Sequence, residues 1–277
     1  MRINGVPAST TIHELGRRIE LPGGPRAVLL LHGWTGWPGR LAPLACRLHE
    51  AGFTVVVPRL PGHGTNMRDM LQTDAETWLR CAIDEYLELA SDYQSVGIAG
   101  TSMGAILAAM VAAKFDVPKA VLLAPAYRNT RRLIVLAPLF RRIIPRIRGD
   151  WSEEQEPDPR AREIGREYAT FNYTAMAAEL YRLQRRGTRA LSGLRSETLI
   201  VVSRKDATVP LEVADLIRRR CSASRCETLV VENSNHHLAE HVDRELVAEA
   251  VVRWFASEPA AAGPTAWRPA ARRPPAS

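Results

Sequence analysis

The stretch Ser95–Ala105, "SVGIAGTSMGA", places Ser102 between two glycines at a predicted change of secondary structure. Residues 95–100 are small or apolar and form too short a run for a helix, which is typical of a strand buried on both faces. The following "SMGAILAAMVAAKF" is almost wholly apolar and indicates a deeply buried helix. A serine in such a strand-to-helix turn, with a glycine two positions to either side, fits the G-x-S-x-G pattern that exposes a nucleophile.

Short runs rich in Val, Ile and Leu recur along the chain and are separated by amphipathic helical patterns. Alternation of this kind predicts an α/β protein with a doubly wound, mostly parallel sheet. The other predicted strands are "AVLLLHG" from Ala27, "TVVVPR" from Thr54, "KAVLLAP" from Lys119, "TLIVVSRKD" from Thr198 and "ETLVVENS" from Glu227.

One interval interrupts this alternation, because residues 127–194 carry no strand signal. An interval of that length is too long for an ordinary crossover and predicts a helical cap inserted after the strand at about 119–125. The C-terminal residues are biased towards Pro, Ala and Arg, as disordered ends are. The sequence therefore predicts an α/β core in two parts (1–126 and 195–257), a helical cap (127–194) and a disordered tail (258–277).

Composition excludes several classes of function. The net charge of +7 comes from arginines spread over the chain, and no helix-turn-helix, zinc-finger or RNA-binding signature accompanies them, so we expect no nucleic-acid partner. The four cysteines are too few and too scattered for a disulfide scaffold, and the neighbouring pair Cys221 and Cys226 lacks companion His ligands for a zinc site. A Cys221–Cys226 bridge is the alternative if the protein is exported. No apolar run reaches the roughly 18 to 20 residues of a membrane helix, and the N-terminus lacks a secretory h-region, so we expect a cytoplasmic protein.

A serine nucleophile needs a base, and the base needs an orienting acid. Asp206 follows the fifth predicted strand, and His236 and His237 follow the sixth, so the chain order is Ser, Asp, His. Adjacent loop residues point in different directions, so only one of the two histidines can reach Ser102. The residues themselves do not choose between them; we take His236 as the base and His237 as the alternative, and expect His241 on the following helix.

Acyl transfer also needs donors for the oxyanion, typically two backbone N–H groups. The N–H of Met103, at the start of the helix after Ser102, is one candidate. Trp34, in the loop "LHGWTGWPG" after the first predicted strand, supplies the other. We expect His32 and His63, in glycine-rich loops, to be structural rather than catalytic.

With these residues identified, the chain resembles the α/β-hydrolase superfamily, and within it the small bacterial carboxylesterases and monoacylglycerol lipases. The resemblance covers most of residues 25–257 outside the predicted cap. The strings that carry it are "LLLHGWTGWPGRLAPLACRLHEAGFTVVVPRLPGHGT", "ETWLRCAIDEYLELASDYQSVGIAGTSMGA", "VVSRKDATVP" and "ENSNHHLAEHVDRE".

The resemblance implies a role for each matching position. Family members show S-x-H where this chain has residues 234–236, which implies that His236 is the base. By the same match Ser102 is the nucleophile, Asp206 the acid, and Trp34 and Met103 the oxyanion donors. This chain departs from the pattern at Ala105, where relatives often have Gly, at Trp34, where Phe is common, and at His237, where a small apolar residue is usual.

These features predict a serine hydrolase that cleaves carboxylic esters, such as short- or medium-chain esters or monoacylglycerols, through an acyl-enzyme. The chemistry needs neither a metal nor an organic cofactor. An acyltransferase or thioesterase could use the same triad, and a C–C bond hydrolase or a catalytically silent binding protein is a weaker alternative.

The predicted cap begins with seven arginines between Arg128 and Arg148, set among apolar residues. Such a segment could contact an anionic membrane surface. We instead expect these arginines to pair with acidic residues of the same segment, and do not favour membrane contact. The acidic residues are Glu153, Glu154, Glu156 and Asp158.

Overall fold

The computed structural model describes residues 10–130, 132–149, 156 and 158–257. The predicted tail, 258–277, lies outside the described residues, so its disorder stays a prediction. The division of the chain into core and cap also stays a prediction.

The described part of the chain contains nine strands. Their bounds are β1 (Ile19–Leu21), β2 (Arg26–Leu31), β3 (Thr54–Val57), β4 (Ser95–Thr101), β5 (Lys119–Leu123), β6 (Arg146–Arg148), β7 (Phe171–Tyr173), β8 (Glu197–Ser203) and β9 (Cys226–Val231). Among described residues, seven of them form one sheet in the order β1-β3-β2-β4-β5-β8-β9. Each neighbouring pair is parallel except β1 with β3. This confirms the predicted α/β fold, and β1, with three residues, is too short for the sequence to have signalled it.

Helices cover both faces of this sheet. Their bounds are α1 (Ala42–Glu50), α2 (Met67–Met70), α3 (Ala75–Asp92), α4 (Met103–Lys114), α5 (Ala137–Phe140), α6 (Pro159–Ala169), α7 (Thr174–Ala190), α8 (Glu212–Arg218) and α9 (Arg244–Ala256).

The side chains of β2 show how the core is divided. Leu29 and Leu31 join the larger apolar cluster on one face, whereas Val28 and Leu30 join the cluster on the other. Successive side chains of a strand point to opposite faces, so a strand covered by helices on both sides must be apolar throughout. This is the physical reason for the uninterrupted apolar runs in the sequence.

The chain between β5 and β8 packs on the helix that follows Ser102. Helix α5 lies against α7, and α7 lies against α4. At Gly187 of α7 a Cβ atom would stand 2.3 Å from Cγ2 of Ile106, so any other residue here would have to displace the Ile106 side chain. The inserted chain is thereby fixed against the helix that follows Ser102.

Besides its helices, the inserted chain carries two short strands that the sequence did not predict. Its strands β6 and β7 pair antiparallel, with Ile147 opposite Asn172. Each strand has three residues, and all of β6 is exposed. A pair this short buries too little apolar surface to leave a pattern in the sequence.

The expected pairing of the cap arginines is wrong for the two acidic residues that the structure describes. Glu156 pairs with Arg40 and Asp158 pairs with Arg160, both outside the arginine-rich stretch. Glu153, Glu154 and Arg131 lie outside the described residues.

No helix within the described ranges is long and apolar enough to cross a bilayer. The same residues contain no group of three or more His, Cys, Asp or Glu side chains placed to hold a metal ion.

Candidate active site

Ser102 occupies the sharp turn between β4 and α4. Its backbone lies at φ 56° and ψ −114°, a strained conformation for a residue with a side chain. The turn is held by neighbouring backbone, because Ser102 N–H donates to the Leu123 carbonyl (2.8 Å) and the Ser102 carbonyl accepts from Ala126 N–H (3.3 Å). The strain is therefore supported by β5 and the residues that follow it.

The two glycines of the motif allow β4, α4 and β2 to meet at this turn. A Cβ at Gly100 would lie 2.2 Å from the carbonyl oxygen of Gly104. A Cβ at Gly104 would lie 2.1 Å from the carbonyl oxygen of Leu31 and 2.5 Å from that of His32. Both obstacles are backbone atoms, so a side chain at either position would have to displace a strand or the helix.

Asp206 and His236 meet at the carboxyl edge of the sheet. Asp206 follows β8 and His236 follows the neighbouring parallel strand β9. His236 Nδ1 lies 2.8 Å from Asp206 Oδ2, and Asp206 Oδ1 accepts the backbone N–H groups of Thr208 (2.8 Å) and Val209 (2.9 Å). The Asp206 side chain is 1% exposed and that of His236 is 18% exposed, so the acid is buried beneath a partly accessible ring.

Two opposing effects set the pKa of Asp206. Burial acts to raise the pKa, but the hydrogen bond and charge of His236, together with the two backbone N–H groups, outweigh it and hold the pKa below its ordinary value. Asp206 is therefore a carboxylate at neutral pH. A carboxylate accepts from Nδ1–H, which leaves the lone pair of Nε2 free to receive a proton.

Ser234 fixes the loop that carries His236. The backbone N–H groups of Asn233 and Ser234 donate to Asp243 Oδ2 (2.9 and 2.7 Å), and Asp243 N–H donates to Ser234 Oγ (2.8 Å). Ser203, at the end of β8, donates its hydroxyl to the Ser234 carbonyl. The S-x-H spacing pointed to Ser234, but nothing in the sequence indicated Asp243.

The other two histidines of this region contact residues other than Asp206. The His237 side chain is 51% exposed, and its Nδ1 lies 3.5 Å from Glu240 Oε1. His241 was expected on the following helix, which is wrong: it lies in the turn before α9, where its Nδ1 accepts from Asn235 N–H (3.3 Å). The preceding turn is closed by the Ser234–Asp243 contacts, so the helix begins only at Arg244.

The loop after β2 passes directly over Ser102. A Cβ at Gly33 would stand 3.2 Å from Ser102 Cβ and 3.8 Å from Ser102 Oγ, and Trp34 is the next residue. The loop is held in a tight turn, in which Thr35 has φ 56° and its hydroxyl donates to the Trp34 carbonyl (2.7 Å). Met103 is the first residue of α4, where backbone N–H groups have no acceptor within the helix. Sequence reasoning missed the contact of Gly33 with Ser102.

The structure brings the predicted site residues together in two separate contacts. Asp206 is hydrogen-bonded to His236, and the Gly33–Trp34 loop touches Ser102. Among the described residues, the Ser102 side chain makes no hydrogen bond to His236. Such contacts are often long in a site without substrate and tighten when the reacting group binds.

His32 and His63 are buried and hydrogen-bonded to loop backbone, and a structural rather than catalytic role for them stays a prediction. His32 Nδ1 donates to the Gly33 carbonyl (3.0 Å) and its Nε2 accepts Leu60 N–H (3.1 Å), which fixes the neutral ring. His63 Nδ1 donates to the Pro61 carbonyl (3.0 Å). Burial lowers the pKa of His32 to about 3 and that of His63 to about 4. The rings lie edge to face, 5.1 Å apart, and join the two loops beside Ser102.

Helix α6 is bonded to the loop that contains His63. Tyr168 donates its hydroxyl to the Gly62 carbonyl (2.8 Å) and accepts Thr65 N–H (2.9 Å). Glu167 accepts Met67 N–H (2.6 Å). The inserted chain is thus attached at one side of the site through backbone groups.

Arg40 makes a second attachment near the histidine loop. Its Nη2 lies 2.8 Å from Glu156 Oε2 and its Nη1 lies 2.6 Å from Glu240 Oε1. The guanidinium stacks over Trp37, 4.2 Å from the ring centre. One cation therefore joins the loop after β2, the inserted chain and the turn that follows His237.

Comparison with known proteins shows which sequences this chain is similar to. A family model described as "Alpha/beta hydrolase family" matches residues 28–250. The thermostable monoacylglycerol lipase of Bacillus sp. (strain H-257) is 30% identical over 238 residues, which cover 84% of this chain and 91% of the relative. The carboxylesterase of Bacillus subtilis (strain 168) is 26% identical over 239 residues, which cover 84% and 93%.

Solved structures show the same fold. A structure described under LipS and LipT, two metagenome-derived lipolytic enzymes, has a TM-score of 0.78 and 25% identity, and the match covers 88% of this chain and 99% of that one. The monoacylglycerol lipase of Paleococcus ferrophilus has a TM-score of 0.70 at 20% identity, with 86% and 97% covered.

Proposed function

The chain belongs to the alpha/beta hydrolase family, and on that premise we propose that it cleaves carboxylic esters through Ser102, His236 and Asp206. The protein is a carboxylic ester hydrolase, as the activities named for its relatives indicate. The observation that carries the triad is the 2.8 Å contact between Asp206 and His236, at the same edge of the sheet as the strained turn of Ser102.

Each residue has one role in the proposed first half-reaction. His236 Nε2 removes the hydroxyl proton as Ser102 Oγ bonds to the ester carbonyl carbon. The N–H groups of Trp34 and Met103 donate to the oxygen that gains the negative charge. His236 then gives its proton to the leaving alkoxide, the C–O bond breaks, and the acyl group remains on Ser102.

Water completes the cycle by the same route. His236 takes a proton from water as the oxygen attacks the acyl carbon, then returns a proton to Ser102 as the carboxylic acid leaves. Asp206 stays ionised throughout, because its pKa lies below the ordinary value, and stabilises the imidazolium that forms twice per turnover. The proposed substrates are short- or medium-chain esters or monoacylglycerols.

Ser102→Ala tests the nucleophile. We expect the variant to fold, to lose p-nitrophenyl butyrate turnover by at least about 10⁴-fold, and to lose labelling by a fluorophosphonate probe. Ser91→Ala, at an exposed serine of α3, is the matched control and should keep both. Retained turnover in Ser102→Ala would exclude the assignment.

The adjacent histidines test the base. His236→Ala should lower kcat as severely as Ser102→Ala, whereas His237→Ala, at a half-exposed ring, should keep most of the activity. The reverse result would move the base to His237. Product analysis with added alcohol, and a panel of esters, monoacylglycerols and acyl-CoA, separates hydrolysis from acyl transfer and thioester cleavage.

A further inference from the structure

The exposed apolar surface of this protein is concentrated in one segment. Of the thirteen exposed large apolar side chains among the described residues, seven lie between 133 and 147. Leu133, Leu139 and Ile143 are 71–74% exposed, and the other four are 41–58% exposed. Monomeric soluble proteins rarely gather exposed apolar residues in this way outside an interaction site.

Four cations are interleaved with these apolar side chains. Arg141, Arg142, Arg146 and Arg148 are all exposed. None of them forms an ion pair with a carboxylate that the structure describes, because Glu156 and Asp158 are taken by Arg40 and Arg160. Arg146 lies over the ring of Phe171, 4.4 Å from its centre, which leaves its guanidinium edge open.

Helix packing and backbone hydrogen bonds fix this segment to the rest of the protein. Helix α5 packs on α7, Thr174 N–H donates to the Pro145 carbonyl (3.1 Å), and Gly149 N–H donates to the Thr170 carbonyl (2.9 Å). Where the segment leaves the sheet, Thr130 N–H donates to the carbonyl of Thr208, two residues after Asp206 (2.9 Å). The exposed surface therefore begins beside the loop that carries Asp206 of the proposed site.

We propose that residues 133–148 form a docking surface for a bilayer that contains anionic phospholipid. Such a bilayer offers a partner to both kinds of side chain on this surface. Its acyl chains can contact the leucines and isoleucines, and its phosphate groups can accept bidentate hydrogen bonds from the guanidinium ions. A second copy of the chain would bring the same four arginines face to face, and a nucleic acid would offer phosphates without an apolar phase. Docking would bring the side of the proposed site that carries the Asp206 loop towards the lipid.

Vesicle co-sedimentation tests this surface with the full-length protein. We expect binding to vesicles enriched in phosphatidylglycerol, little binding to pure phosphatidylcholine, and weaker binding as salt is added. Each arginine near an anionic surface contributes about fivefold to the partition coefficient, so Arg141→Glu/Arg142→Glu should lower it by at least about 25-fold. Leu139→Asp/Ile143→Asp should lower it comparably, because it removes the inserted apolar groups.

Matched controls lie outside the inserted chain. Arg219→Glu/Arg220→Glu reverses an adjacent pair of exposed arginines after α8, and Leu246→Asp changes an exposed leucine of α9. Both should bind anionic vesicles as the wild type does. Every variant should keep p-nitrophenyl butyrate turnover, and Ser102→Ala should keep vesicle binding, so lipid docking and catalysis are tested separately.

Three results would overturn the proposal. The first is no binding of the wild type to phosphatidylglycerol vesicles, and the second is equal binding to both kinds of vesicle. The third is dimerisation without lipid that Leu139→Asp/Ile143→Asp abolishes, which would assign the surface to a second copy of the chain.

Discussion

Replacing Arg40 with Ala should destabilise the protein far more than an equivalent change on the outer surface. Arg40 stands between two carboxylates, and its removal leaves Glu156 and Glu240 close together without a cation. Burial already raises the pKa of Glu240, although Arg40 opposes that shift. The matched variant is Arg47→Ala on α1, because Arg47 also contacts two glutamates, Glu50 and Glu245.

Burial explains why Arg40→Ala should lower the free energy of unfolding more than Arg47→Ala. The Arg40 side chain is 19% exposed and its partners are 11% and 25% exposed, whereas Arg47 and its partners are 46–65% exposed. An exposed ion pair contributes about 0.2–1 kcal/mol to the free energy of unfolding, whereas removing one partner of a buried ion pair lowers that free energy by about 3–5 kcal/mol. With the stacking on Trp37 also lost, we expect about 3 kcal/mol for Arg40→Ala and about 0.5 kcal/mol for Arg47→Ala.

Urea unfolding of both variants, followed by tryptophan fluorescence, measures this difference. In thermal scans Arg40→Ala should lower Tm by about 6–12 °C. At about 1 M NaCl, where the Debye length falls to about 3 Å, the effect of Arg47→Ala should vanish and most of that of Arg40→Ala should persist. Equal losses in the two variants, or loss of the difference in salt, would refute the reasoning from burial.

Three further predictions follow from the site. Asp206→Asn should lower kcat for p-nitrophenyl butyrate by about 10⁴-fold with KM little changed, because an amide at this position favours the wrong tautomer of the base; unchanged kcat would contradict the role of the acid. The pKa values of His32 (about 3) and His63 (about 4) lie below the ordinary 6.5, so the unfolded chain binds more protons and the free energy of unfolding should fall as pH drops from 6.5 towards 4. Urea midpoints across that range should show a shallower fall in His63→Gln, and equal slopes would contradict the assignment. Gly104→Ala should abolish turnover, since its Cβ would lie 2.1 Å from a backbone oxygen. Gly52→Ala has nothing within 4 Å of the added Cβ, and although its φ of 88° costs some stability, it should remain active.

The fold was predictable because its signals are local. Each strand buried on both faces needs an apolar run, each helix needs its own periodicity, and the turn at Ser102 needs glycines at fixed spacing. The strands that were missed, β1, β6 and β7, have three residues each. A pattern of period two needs more residues than that to be distinguished from chance.

The chain order of Ser102, Asp206 and His236 was likewise readable from the sequence, because each residue follows a recognisable strand and parallel strands end at the same edge. The residues alone did not favour either of the adjacent histidines as the proposed base. The loop conformation supports the proposal for His236, because it turns His236 towards Asp206 and leaves His237 half exposed.

The sequence by itself therefore determined the order of elements and the types of residue at the sheet edge. Only the tertiary structure decided which side chains meet: Arg40 reaches a partner 116 residues away at Glu156 and another 200 residues away at Glu240. It also decided that the arginines of residues 133–148 are left without described carboxylate partners. The physical reason is that the periodicity of apolar residues shows which face of a helix or strand will be buried. Ion pairs and hydrogen bonds between distant residues depend on distances that exist only once the chain has folded.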